Sequence, residues 1–139
     1  MLYYTQGGDD IMKIFKRILI AFIVIILVSI ISFVAIFIYE DQFKKREIYQ
    51  ENSPDGNYTI VLYQVGSPQW SFGSVKAKLV LEDANGKKID EEDFGLANDG
   101  AGVFEGNVKE ITWTENQVKI IMGESDTTKQ FTYILSYTE

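Results

Sequence analysis

Between Ile18 and Tyr39 the chain runs ILIAFIVIILVSIISFVAIFIY, 22 residues in which Ser29 and Ser32 are the only polar side chains before the closing tyrosine. No other stretch limits the fold so strictly. As a helix rising 1.5 Å per residue it is about 33 Å long, enough to cross a hydrocarbon core of roughly 30 Å. Ile, Val and Phe are mediocre helix formers in water, but a backbone in lipid must satisfy its own hydrogen bonds, which forces the helix. The competing reading is a helix buried in a globular core. It is disfavoured because the run shows no polar face at any period. The segment is therefore expected to cross a lipid bilayer through residues 18–39, with Ile18, Phe22, Ile26, Ile30, Phe33 and Ile38 among its lipid contacts. It carries no charge, so it offers no ion path or proton relay. Ser29, Ser32 and Ala35 are small enough for a helix–helix stripe. There is no GxxxG, however, and isolated serines in such helices mostly bond their own backbone.

Ahead of the span, residues 1–11 (MLYYTQGGDDI) read as neither a targeting nor a folding element. Met12 then opens MKIFKR, the short basic stretch that precedes an apolar export segment. Gln6-Gly7-Gly8-Asp9 is encodable as CAAGGAGGTGAT, which carries a bacterial ribosome-binding sequence just upstream of the Met12 codon. Translation from Met12 is the expectation, with residues 1–11 a mis-assigned or disordered leader. The apolar run exceeds the about 7–15 residues of a cleaved signal peptide's apolar region, and no A-x-A-like site follows it. With no cysteine in the chain, lipid attachment at an N-terminal cysteine is excluded. An uncleaved signal anchor over residues 12–39 is the better reading. Lys13, Lys16 and Arg17 flank one end and Lys44, Lys45 and Arg46 the other. The first three sit closer to the span and begin a short tail, so the N-terminus is expected in the cytoplasm and the C-terminal domain outside the cell membrane.

Residues 40–52 read as a helical stalk or linker leaving the bilayer. Tyr39, Phe43 and Tyr49 are placed at headgroup level and the basic triplet against the lipid surface. From Glu47 to Glu139 there are 16 acidic and 7 basic residues, a formal charge of −9. Such a domain is repelled by nucleic-acid phosphate and by anionic lipid, so neither is its expected partner.

Residues 53–139 read as one small β domain. Ser53-Pro54-Asp55-Gly56 suits a type I turn. Strands are expected at Tyr58–Val65, apolar on both faces, and at Ser74–Glu82, with Val75, Ala77, Leu79 and Leu81 on one face. After the Asn85-Gly86 hairpin signal, a third strand near Lys88–Gly95 carries the acidic run Asp90–Asp93. That run marks an edge or a bulge. Val108–Thr114, Gln117–Gly123 and Lys129–Tyr137 complete the set, the last with Phe131, Tyr133, Leu135 and Tyr137 toward the core. The fold expected is mainly β: the single transmembrane helix followed by an antiparallel meander of about six strands, either one curved sheet or a compact sandwich.

The chain has no histidine and no cysteine. Ser–His and Cys–His nucleophilic chemistry and the usual zinc ligands are therefore ruled out. Carboxylates remain. Glu91, Asp93, Asp99 and Glu105 are the residue types for an acid–base pair, but a domain of this size has little room for a sugar cleft. Asp90–Asp93 and the loop Asn98–Gly102 offer oxygens for Ca²⁺ without the alternating spacing of a dedicated loop. A solvated charge run is the favoured account, and no cofactor or metal is assigned. In the long connection Gly66–Gly73, Trp70 and Phe72 either plug the end of the core or serve as an exposed partner contact. Core packing is the weightier option, since large aromatics are valuable to a small core.

The membrane segment, the turn Ser53-Pro54-Asp55-Gly56-Asn57-Tyr58, the pattern Asn107-Val108-Lys109, Trp113 and Val118-Lys119-Ile120, and the tyrosine-bearing last strand together resemble a family of proteins. These are uncharacterised small membrane-anchored or lipoprotein-like proteins of low-GC Gram-positive bacteria. The likeness covers roughly residues 52–137. The lipidated cysteine that many of them carry is missing here. The resemblance implies a location and a fold, and assigns no activity. The function expected is a non-catalytic, membrane-tethered extracytoplasmic binding module for a protein or cell-envelope ligand, an immunity-type protein being its sharper form. The alternative is a small carboxylate-based envelope enzyme or a Ca²⁺-dependent domain.

Overall fold

A computed structural model describes residues 6–68, 73–98, 100–125 and 127–137, and the chain divides into two compact units, 1–38 and 39–139. The first unit is helical. Helix α1 spans Gln6–Gln42, and within it Asp10–Gln42 is long and apolar enough to cross a membrane, with no part of the apolar window buried. Ile18, Phe22, Ile26, Ile30, Phe33 and Ile38 are all exposed. Ser29 donates its hydroxyl to the Ile25 carbonyl one turn back at 2.8 Å, so the helix consumes its own polar group. The helix reaches back to Gln6, so residues 6–11 of the expected leader are helical. Once the span has met the cost of nucleation, adding flanking turns costs little, and Lys13 pairs with Asp10 at 3.2 Å.

The second unit corrects the stalk expected over residues 40–52. The helix stops at Gln42, and β1 (Lys45–Asn52) follows as a strand paired antiparallel with β2 (Tyr58–Val65). Lys, Arg, Glu and Gln favour a helix locally, but tertiary pairing overrides so weak a preference. A bulge between Glu47 and Tyr49 inserts Ile48 as an extra residue, and Ile48 and Tyr49 both pack against the core. The bulge breaks the two-residue alternation by which a strand is recognised. The Ser53–Gly56 turn is thus a hairpin connection rather than the end of a stalk. Gly56 N–H donates to the Ser53 carbonyl at 2.9 Å and Ser53 N–H to the Tyr58 carbonyl at 2.8 Å.

β3 (Ser74–Asp83) and β4 (Lys88–Ala97) complete a four-stranded sheet of order β1-β2-β3-β4. The β3–β4 turn closes when Asp83 accepts from the backbone N–H groups of Asn85 and Lys87 at 2.8 and 2.9 Å. Gly86 supplies the left-handed φ of 75° that this bulged turn demands. β5 (Val108–Trp113), β6 (Gln117–Gly123) and β7 (Gln130–Ser136) form a second antiparallel sheet of order β5-β6-β7. Mainly β, antiparallel and two-sheeted, the domain has seven strands among the described residues, β1 being the addition to the expected six.

Both sheets bury their inner faces in one core. Ile60, Leu62, Leu79, Leu81 and Leu96 come from the first and Val118, Ile120, Met122 and Leu135 from the second. Each such side chain contributes about 1.5–3 kcal/mol on burial. Of the β7 residues expected inside, Leu135 is buried, Tyr133 and Tyr137 pack at the margin, and Phe131 is exposed at the strand's outer end.

Among the described residues no backbone ladder joins the two sheets; side chains bridge them. At one seam Glu51 of β1 accepts from the Tyr49 hydroxyl at 2.6 Å and from the Trp113 indole N–H of β5 at 3.2 Å. At the other, Asp90 of β4 accepts from Ser136 N–H of β7 at 2.9 Å. Two stacked aromatic pairs, Tyr58–Tyr137 and Phe94–Tyr133, lie between the same sheets with ring centres 4.3 and 4.4 Å apart.

The chain passes from one sheet to the other between Asn98 and Asn107, and the connection is held from within. Asn98 and Asn107 are 1% and 0% exposed. Their amides face one another, each donating to the other's oxygen at 3.1 and 3.3 Å. Asn98 also donates to the Gly102 carbonyl and accepts from Ser125 N–H. Asn107 donates to the Gly123 carbonyl and accepts from Phe104 N–H. All four N–H bonds and all four acceptor sites of the pair are engaged. Turning either amide over would aim N–H at N–H, so the surroundings dictate both orientations. Gln64 repeats the device nearby, accepting from Val103 N–H and donating to the Gly66 carbonyl.

Candidate functional site

Pairing register decides which side chains share the outer face of the first sheet. Lys45, Val65, Lys76 and Gly95 lie in one row across β1, β2, β3 and β4. The next row on that face is Glu47, Tyr63, Lys78 and Asp93. With strands about 4.8 Å apart, the Lys45 and Lys76 backbones are separated by about 10 Å, and both side chains stand over Val65. Gly95 adds no side chain to this row, and a Cβ placed there would meet nothing nearer than 3.9 Å.

These rows floor a cleft of about 560 Å³, walled also by Gln42 and Phe43. Its chemistry is mixed. Phe43, exposed over 64% of its surface, and Val65 are apolar, while Lys45, Lys76 and Lys78 are cationic and Asp93 is anionic. Lys78 is spoken for: its ammonium lies 3.2 Å from both Glu91 and Asp93. Burial of the amine works against its charged form, yet the hydrogen bonds it donates to Glu91 and Asp93 prevail and hold its pKa above the ordinary lysine value. Among the described residues no carboxylate lies within 4.0 Å of Lys45 or Lys76. The cleft therefore presents two unpaired positive charges on a domain whose formal charge is negative.

The position of Gln42 and Phe43 follows from how α1 ends. The Tyr39 carbonyl accepts from both Phe43 and Lys44 N–H at 3.0 Å, and the Asp41 carbonyl from Ser67 N–H at 2.8 Å. Two of the carbonyls that a helix end leaves unsatisfied thus find partners. Gly66 lies against the Asp41 carbonyl with φ 69°, and any side chain there would collide with it.

The candidate carboxylates do not gather. Glu91 lies 3.0 Å from Lys88 and 3.2 Å from Lys78. The hydrogen bonds from these lysines, Lys88 first, hold its carboxyl below the usual carboxylate range. A general acid needs the opposite shift. Asp93 shares Lys78, and Glu105 opens a one-turn 3-10 helix, Glu105–Asn107, in the inter-sheet connection. In the acidic run, Asp90 is turned to β7, and no three ligating side chains converge among the described residues. The Asn98 oxygen, counted in the sequence as a calcium donor, points into the domain and is saturated there. Asp99, Trp70 and Phe72 lie outside the described residues.

A smaller recess of about 290 Å³ lies by the Ser53–Asn57 turn, at the other end of β2, lined by Tyr58, Trp113, Glu115 and Tyr137 among others. Asp55 on its rim is held below the usual carboxylate range, first by the Ser53 hydroxyl and then by Asn57. Its oxygens are already engaged within the turn.

Sequence reading placed Lys45 at the lipid surface and gave Lys76 no role. The alternation Lys76–Lys78 on the outer face of an otherwise acidic domain was visible. That Lys45 stands in the same row was not, because β1 was read as helix. No protein-family model, no curated protein and no solved structure matches this chain.

Proposed function

We propose that the protein is a non-catalytic binding module tethered to the cell membrane by α1. Its N-terminus is cytoplasmic and its β domain extracytoplasmic, and the cleft over Val65 is its binding site. The observation that carries this reading is the cleft's composition and its place in the chain. Two unpaired lysines and Phe43 surround a floor left open by Gly95, and Gln42 and Phe43 follow the apolar run by three and four residues. Support for binding over catalysis comes from Glu91, whose lysine partners keep it ionised and unable to act as a general acid near neutral pH. The ligand is a component of the envelope or a protein at its surface. Nucleic acid is opposed by the domain's net charge.

The test is extraction and proteolysis of the full chain in its own membranes. The protein is expected to stay in the pellet after alkaline carbonate treatment. Protease added to intact cells with the wall removed is expected to remove the β domain and leave α1. Release by carbonate would overturn the tether. Full protection of the domain until the cells are lysed would reverse the sidedness.

A further inference from the structure

We propose that the cleft seats the anionic phosphodiester headgroup of a lipid in the same leaflet that holds α1. This inference rests on the tether proposed above and names its ligand. The domain's mean charge argues against anionic lipid, so the cleft is the local exception that has to be explained. Lys45 and Lys76 come from different strands, separated by a third, yet register brings them to one row and one face. Ammonium groups on side chains this long converge readily on one phosphate placed over Val65. Lys78 and Lys88 together balance Glu91 and Asp93, so this cluster adds a wall without adding net charge. Phe43 and Val65 supply an apolar lining for the glycerol and the first methylenes of the acyl chains.

Chain connectivity favours a lipid over a soluble anion. Phe43 lies four residues after Tyr39, a reach of at most about 14 Å whatever the path taken. A rim residue of the cleft is therefore confined near the headgroup layer wherever the apolar run is in the bilayer. An exposed phenylalanine costs least at that depth. A site built for a small free anion would have no use for the apolar lining.

The experiment uses the full chain in lipid nanodiscs, one set of phosphatidylcholine alone and one with phosphatidylglycerol added, reading the backbone amide resonances of Lys76 and Gly95. Phosphatidylglycerol is expected to shift both and phosphatidylcholine neither. Lys45→Gln with Lys76→Gln is expected to raise the phosphatidylglycerol content needed for half the shift by about tenfold or more. Gly95→Leu, which fills the floor, is expected to abolish the shift at Lys76. If Gly95→Leu fails to fold, the two surface lysine substitutions decide the matter. Equal shifts with both lipids, or no effect of the lysine changes, would overturn the proposal. So would inorganic phosphate producing the same shifts in phosphatidylcholine discs at comparable concentration, since the site would then be one for a small anion. Flotation with pure phosphatidylcholine vesicles separates the two levels of argument. A chain that does not float overturns the tether and this proposal with it. A chain that floats but shows no phosphatidylglycerol preference overturns the headgroup assignment alone.

Discussion

Replacing Asn107 with leucine retains the branching of the side chain and deletes every polar contact it makes. Four hydrogen bonds disappear: two to Asn98, one from Phe104 N–H and one to the Gly123 carbonyl. At about 1 kcal/mol net per bond the loss is about 4 kcal/mol, and orphaned N–H groups on Phe104 and Asn98, each costing about 1–3 kcal/mol, push it toward 6. Against a total stability of about 5–15 kcal/mol for a domain of this size, that is a large share. At about 4–8 °C per kcal/mol the melting temperature should fall by at least about 16 °C. The assay is reversible unfolding of the full chain in neutral detergent, followed by near-ultraviolet circular dichroism. Asn98→Leu combined with Asn107→Leu removes both members of the pair and should cost about 1–3 kcal/mol less than the two single losses added together. A loss under about 1.5 kcal/mol for Asn107→Leu, or strict additivity of the pair, would refute the idea that the amides are dry and mutually dependent.

Two further outcomes follow from charge. Glu91 is depressed below its ordinary value of 4.5, so its contribution is complete above that pH and is lost as pH falls through the folded value. Lys78→Gln with Lys88→Gln should flatten the acid limb of melting temperature below pH 4.5, and an unchanged limb would mean that the pairing is absent in solution. Tyr49 is pushed up to about 12, chiefly by its hydrogen bond to Glu51, so its contribution persists up to the ordinary value of 10 and drains away between 10 and about 12. An ultraviolet titration should show a late phenol that moves down in Glu51→Gln; phenols all titrating near 10 would exclude the seam contact.

The legible part of the fold is the part with a clean local signal. Tyr58–Val65 and Gln117–Gly123 emerge with the bounds read from the sequence, because turn residues bracket them and β-branched or aliphatic side chains fill them. The Asp90–Asp93 run does mark an edge strand, with β4 last in its sheet. β1 was hidden by its charged, helix-favouring residues and by the bulge at Ile48. The division into two sheets has no local signature at all. It is set by Asn98, Asn107 and Gln64, which read as loop and surface residues until their partners, up to 39 positions away, are known. The outer-face pair Val61 and Val80, 3% and 5% exposed, shows the same limit: alternation assigns a face, but not what covers it. The lysine row belongs to this class too, being a property of register.

The order of strands in both sheets is the order of synthesis. Within each sheet every strand after the first pairs with the one made just before it, so the separation between partners stays short and loop closure costs little at every step. β1 to β4 can assemble while residues beyond Ala97 are still being made. The inner faces of Leu62, Leu79 and Leu81 then wait uncovered until β6 arrives with Ile120 and Met122. In that interval the nascent domain displays a greasy slab, and the interval lasts as long as the ribosome takes to traverse about 25 codons, one to five seconds at elongation rates of about 5–20 residues per second. A chaperone or the bilayer surface itself has that window in which to act, and silent codon changes between Asn98 and Met122 would lengthen or shorten it.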